Sequence, residues 1–185
     1  MKKTVLTFGL ISGAISSVMM LAMLPFIDRI GFDKGVVVGY TTIILSFLLV
    51  FFGVRSYREN VGGGEITFSR ALGVGMLITL ISCLCYVVTW EIVYFKLMPG
   101  FAEKYTTYVI EQVRASGASQ QVIEAKMQEM KSFNALYDNP LINAAITFME
   151  PFPIGLAVTL ISAIILRKRG RREEHAKGVG EPVRS

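Results

Sequence analysis

The sequence predicts an all-α membrane protein: four transmembrane helices, both termini cytoplasmic, and an extracytoplasmic amphipathic helical pair between the third and fourth helices. Three observations predict it. Of 185 residues, 52% are hydrophobic and only 18% charged, where a soluble domain carries about 25% charged residues; mean hydropathy is +0.52. The apolar residues are gathered into four long blocks instead of being spread at core periodicity. The basic residues divide unevenly between the two sides that those blocks define. Together these exclude an ordinary soluble enzyme, a disulfide-stapled secreted domain and a disordered chain.

The blocks cover residues 4–26, 36–54, 71–95 and 141–166. Each matches the roughly 20 apolar residues that a helix needs to cross about 30 Å of hydrocarbon. Lys2-Lys3 ahead of the first block imitates a secretory signal, but the block is longer than a signal core of about 7–15 residues and Leu24-Pro25-Phe26 is no small-residue cleavage site. The first block is therefore expected to stay as a helix. A short connection, 28–35, makes the first two helices an antiparallel hairpin. The 55–70 connection holds Gly62-Gly63-Gly64, with neither a preceding strand nor a following Gly-Lys-Ser/Thr, so it reads as a flexible turn and not as a phosphate loop. Thr67 or Ser69 is placed to cap the third helix.

Residues 97–139 form the only sizeable segment outside the bilayer. Pro99-Gly100 breaks the chain. Phe101, Tyr105, Val109 and Val113 then recur at helical spacing, and Ile123, Met127 and Met130 form a second stripe, with Ser119 as a candidate cap. Two short helices are expected, folded on each other or lying on the bilayer. The stripes read as packing surface ahead of a binding groove.

Twelve of the 19 Lys and Arg fall with the two termini and the 55–70 connection, and seven fall on the other side. Positive charge near span ends stays in the cytoplasm, which places both termini inside. The inside segments carry a net charge of +7 and the outside segments zero, with Glu91 and Glu150 inside spans completing the formal +5. The pI near 9.3 is thus a topology signal and not a nucleic-acid-binding one. Arg167, Lys168 and Arg169 anchor the end of the fourth span to anionic lipid, and residues 170–185 read as a disordered basic cytoplasmic tail. Its His175, the only histidine, forms no metal site.

Ionisable residues inside spans are functional candidates, because charge there costs about 2.5–3.5 kcal/mol even on lenient scales. Glu91 lies roughly 32 Å beyond Arg70 along a helix and reads as a solvated rim carboxylate beside an aromatic belt of Trp90, Tyr94 and Phe95. Glu150 lies roughly 26 Å from the inner surface and is followed by Pro151-Phe152-Pro153. Each proline deprives a carbonyl four residues back, of Thr147 and Met149, of its usual donor, and transporters place ion sites at such breaks. Three readings of Glu150 stay open: an ion or proton site, a kink-associated structural residue, or the cap of a helix starting at Pro151. Gly9, Gly13 and Ser17 line one face of the first helix, and Gly35 and Gly39 open the second; both patterns favour close helix approach, within the chain or between copies. Cys83 and Cys85 point about 200° apart and cannot share a metal. Neither a zinc spacing nor a nucleophile–histidine set is present, so no metal, no cofactor and no enzymatic activity are expected.

The stretch Phe51-Phe52-Gly53-Val54-Arg55-Ser56-Tyr57-Arg58-Glu59-Asn60, followed by Gly63-Gly64-Glu65-Ile66-Thr67-Phe68, Ala71-Leu72 and Gly73, resembles the central signature of bacterial four-helix membrane proteins catalogued as domain of unknown function 4199. The resemblance runs over residues 3–169. It implies four spans in the bacterial cytoplasmic (inner) membrane and brings no substrate, cofactor or catalytic residue. Arg55 and Arg58, one turn apart, sit where they would anchor the second helix to lipid phosphate. The functional expectation is a non-enzymatic integral membrane protein acting through helix packing, as a homo-oligomer or with a membrane-protein partner. The alternative is a small transporter or channel component using Glu150.

Overall fold

A computed structural model of the chain describes residues 1–168; Arg169, the 170–185 tail and its His175 lie outside the described residues. The first span is α1 (Lys2–Met23), and Pro25 tightens its end into one 3₁₀ turn, Leu24–Phe26. A four-residue α2 (Ile27–Ile30) follows. Gly31, at φ 77°, reverses the chain in a conformation that only glycine takes at little cost. The second span, α3 (Phe32–Asn60), starts four residues before the apolar block and ends six after it. The helix thus runs on beyond the apolar block into polar residues at both ends.

The 55–70 connection is correspondingly shorter than expected. Its glycine run is a bonded turn and not a loose one. The Val61 and Gly62 amides both donate to the Tyr57 carbonyl, and the Gly64 amide to that of Arg58, with Gly63 and Gly64 at positive φ. Thr67 caps α4 (Phe68–Ile92), its Oγ1 accepting from the Arg70 amide at 3.4 Å. One π-helical turn, Val93–Leu97, extends α4 to the Pro99-Gly100 break. The outer pair is α5 (Phe101–Ala115) and α6 (Gln120–Tyr137), packed on each other. Ser119 stands at the start of α6 but its side chain makes no capping bond. In the second stripe Ile123 and Met130 are buried while Met127 is 48% exposed, so the pattern holds at two of three positions.

The fourth crossing is two helices, α7 (Pro140–Phe148) and α8 (Pro151–Leu166). Four helical stretches, Lys2–Phe26, Phe32–Asn60, Phe68–Leu97 and Pro140–Leu166, are long and apolar enough to cross a membrane. Their packing follows the logic of lipid, where hydrophobicity does not draw helices together and small residues and hydroxyls do. The α1 helix packs on α3 and α4, and α8 lies against both α3 and α4. A Cβ added at Gly9, Gly13, Gly53, Gly75 or Gly155 would come within 3 Å of a neighbouring helix's side chain. Between the helices, Ser12 Oγ donates to the Ser46 carbonyl at 2.9 Å, Ser82 Oγ to the Gly9 carbonyl at 3.2 Å, and the Thr79 and Thr159 hydroxyls pair at 3.0 Å. The outward faces carry Val18, Val37, Leu84 and Ile165, each more than 60% exposed, a distribution that water would penalise and lipid tails satisfy. The 61–67 turn is tied to the end of α8 by paired backbone bonds between Ile66 and Lys168, at 2.9 and 3.2 Å.

Candidate functional site: a carboxylate at the helix break

The break in the fourth crossing follows from its prolines. Pro151 and Pro153 offer no amide to the preceding turn, so α7 ends at Phe148 and α8 begins afresh with proline at its first position, where no donor is missed. The Thr147 carbonyl regains a donor locally, from the Glu150 amide at 3.3 Å. Of the three readings of Glu150, the structure matches the backbone of the third: Glu150 immediately precedes α8. Its side chain, however, makes no capping bond. It turns to α4, where Glu150 Oε2 accepts from the Tyr86 hydroxyl at 3.1 Å. The crossing escapes being too short because α7 supplies its outer portion.

The break has a consequence for packing. Beyond it, α7 leans chiefly on α4 and α6, whereas α8 lies against α3 as well. A cavity of about 230 Å³ opens among α1, α3, α4 and the start of α8. Glu150, Tyr86, Trp90 and Tyr40 line it, with Met19, Met20 and Met23 supplied by α1. Gly35 and Gly39 form part of the α3 wall, and an added Cβ at either meets nothing within 4 Å. Within the chain these two glycines therefore do not serve close helix approach; they leave room. Among the described residues no salt bridge reaches Glu150.

The outer pair is fastened over this region by aromatic and polar contacts. Phe32, at the start of α3, meets Phe101, Tyr105 and Tyr108 at centroid distances of 5.8, 5.5 and 5.0 Å. Tyr108, which is not in the expected stripe, thus joins this face, and its hydroxyl donates to the Asp33 carboxylate. That bond pushes the Tyr108 hydroxyl above the ordinary tyrosine range. Trp90 and Tyr94 are not simply an interfacial belt: Trp90 Nε1 donates to the Tyr137 hydroxyl and the Tyr94 hydroxyl to Asp138, both at 2.9 Å. Tyr137 also pairs with Thr147 Oγ1 at 3.1 Å, and Thr147 in turn donates to Asn143 Oδ1 at 3.2 Å. Asn143 Nδ2 closes the network on the Tyr137 carbonyl at 3.2 Å. Burial in this network pushes the Tyr137 hydroxyl up as well.

The remaining candidates fall elsewhere. Glu91 is outside the cavity lining and half-buried, and its Oε1 is shielded from water without a hydrogen-bond partner, which departs from a solvated rim carboxylate. Arg55 and Arg58 do not present two independent guanidiniums: both bond Glu59 Oε1, at 2.9 and 3.3 Å. Arg167 and Lys168 are exposed at the end of α8, and Arg169 lies outside the described residues. Cys83 is buried, and Cys85 lies against the Gly13 position. Among the described residues no three His, Cys, Asp or Glu side chains cluster in a way that would hold a metal.

Sequence reasoning missed Tyr86 as the partner of Glu150. The available signal was a phenol deep within an apolar block, well inside the expected aromatic belt.

Every cavity residue named above lies within a stretch, residues 7–168, that matches the family described as "Protein of unknown function (DUF4199)". The chain belongs to this family. No curated protein and no solved structure matches the chain. Membership brings no described function, and the role of this chain's carboxylate cavity has to be argued from its geometry.

Proposed function

We propose that the protein is a non-enzymatic component of the bacterial cytoplasmic membrane, with both termini inside, that acts as a small carrier using Glu150 as its ion or proton site. The observation that carries this reading is the Glu150 carboxylate lining a cavity at a proline break within a membrane crossing. A carboxylate at membrane depth is costly, so its presence there marks a functional candidate, and broken helices are a recurrent way to build ion sites at membrane depth. The sequence expectation of action through helix packing or a partner drew on the small-residue faces of the first two helices and on the outer helical pair, with Gly9 and Gly13 among the small residues. Those two positions are filled by Ile81 and Cys85 of the chain's own α4, so they no longer argue for self-association.

The test is flux in proteoliposomes. Wild-type protein should dissipate an imposed proton or monovalent-cation gradient, and Glu150→Gln, which keeps an oxygen for Tyr86, should not. Absence of flux in the wild type, or equal flux in the variant, overturns the reading.

A further inference from the structure

We propose that the cavity takes a small lipophilic organic cation, of the substituted-ammonium class, with its charge against Glu150 and its apolar body among the methionine and aromatic side chains. The inference rests on the reading of Glu150 as an ion site and names the chemistry of its occupant.

Charge comes first. Glu150 is the one carboxylate in the lining, its hydrogen-bond partner is the Tyr86 hydroxyl, and among the described residues no salt bridge neutralises it. A cation supplies the missing partner. The walls then argue against a bare metal ion. Calcium takes 6–8 oxygen ligands, and most of this lining is carbon. Besides Glu150, the side-chain oxygens of the lining are neutral hydroxyls only, those of Ser16, Tyr40, Thr42 and Tyr86. An organic cation needs no such shell. Its charge is met by one carboxylate and by aromatic rings, of which Trp gives the strongest attraction. Trp90 is held in place both by Tyr137 and by Phe101, edge-on at 5.1 Å. Met19, Met20 and Met23 present flexible, polarisable side chains that mould to an apolar body.

Size narrows the class. Drug-sized ligands occupy pockets of about 300–1,000 Å³, and this cavity is about 230 Å³. The fit is to a single ring or short alkyl chain bearing a quaternary or tertiary nitrogen. The room for it exists because positions 35 and 39 are glycine.

The experiment uses the full chain, purified in detergent, with benzyltrimethylammonium as probe. Trp90 is the only tryptophan and lines the cavity, so its fluorescence reports occupancy directly; calorimetry gives the affinity. Benzenesulfonate and benzyl alcohol serve as anionic and neutral comparators. The cation should bind at least about ten-fold more tightly than either, a margin of the size that a carboxylate and an aromatic face supply together. Glu150→Gln should remove that margin. Gly39→Leu should block binding by filling the space, while Gly73→Leu, equally free of clashes but away from the cavity, should bind as the wild type does. Melting curves of each variant verify that the fold survives. Equal binding of the three probes, or an unaltered affinity in Glu150→Gln or Gly39→Leu, overturns the proposal. If the cation fails to bind while Glu150-dependent proton flux persists, the organic-cation inference falls and the ion-site reading stands. If flux is also independent of Glu150, both fall.

Discussion

Gly13→Ala tests the central packing claim, that α1 and α4 meet through missing side chains. The added Cβ would lie 2.5 Å from Cys85 Cβ, 2.8 Å from its Sγ and 3.4 Å from Ser82 Cα. The nearest atom is attached directly to backbone, so no rotamer change relieves it, and α1 must retreat along its whole interface. Overpacking of this kind costs about 1–3 kcal/mol, and replacing a mid-helix glycine by alanine returns about 0.5–1 kcal/mol. With the nearest atom at 2.5 Å the upper half of that overpacking range, about 2–3 kcal/mol, applies, so the net expectation is a loss of about 1–2.5 kcal/mol, or a fall of about 2–10 °C in Tm for a chain of this size. Thermal unfolding in a fixed detergent, followed by circular dichroism, measures it. The clash also fixes which second change rescues. Cys85→Ala keeps the offending Cβ and should restore little, whereas Cys85→Gly removes it and should give a favourable coupling of about 1 kcal/mol or more in a double-mutant cycle. A Gly13→Ala protein as stable as the wild type would refute the reasoning. So would rescue by Cys85→Ala equal to that by Cys85→Gly.

Other perturbations probe separate parts of the structure. Thr79→Val removes the 3.0 Å hydroxyl pair with Thr159 and the 3.4 Å bond to the Gly155 carbonyl while preserving shape. Such bonds in membranes average about 0.6 and reach about 1.7 kcal/mol, so a loss near 1 kcal/mol is expected, and a neutral result would mean the pair is not formed. Asn143→Leu, at a fully buried position, removes the donor to the Tyr137 carbonyl and one of the two partners of the Thr147 hydroxyl; a cost of about 1–3 kcal/mol should appear together with altered Trp90 emission. The Tyr108 bond to Asp33 raises the phenol above its usual value of about 10. Its stabilisation is therefore complete below that value and lost as pH rises through the raised one. The Tm difference between wild type and Tyr108→Phe should accordingly be flat across neutral pH and shrink in strong alkali; a difference that grows with alkali contradicts the assignment. Finally, with Cys83 and Cys85 replaced, Ser116→Cys should label from outside intact cells and Ser185→Cys only after permeabilisation, and labelling of both from one side would sink the proposed topology.

The spans were readable because hydrocarbon imposes one requirement at every residue of a crossing, and a contiguous apolar block is its signature. The helix ends were not, since Phe32 and the 55–60 stretch lie in the interface, where polar residues are tolerated and helices continue. Gly9 and Gly13 were recognisable as places of close approach, but their spacing is equally suited to a neighbouring molecule and to Ile81 and Cys85 of α4. The same four-residue spacing at Gly35 and Gly39 suits contact within the chain or between copies, and within the chain it leaves a void. A glycine records only that a side chain is missing, and its partner is settled by the tilt of helices distant in sequence. Trp90 and Tyr94 carried the mark of an interfacial belt, and their bonds to Tyr137 and Asp138 depend on how the outer pair folds back.

What the sequence alone determined is whatever acts along the chain: four apolar crossings, a short connection that makes the first two a hairpin, a disturbance of the fourth crossing at Pro151 and Pro153, and a carboxylate beside it. Only the tertiary structure decided that Glu150 turns to Tyr86, 64 residues away, and that a cavity opens beside them. Proline's missing donor is a covalent property legible at one position. The direction in which a broken helix leans is the resultant of many weak contacts made by other segments, and no single position encodes it.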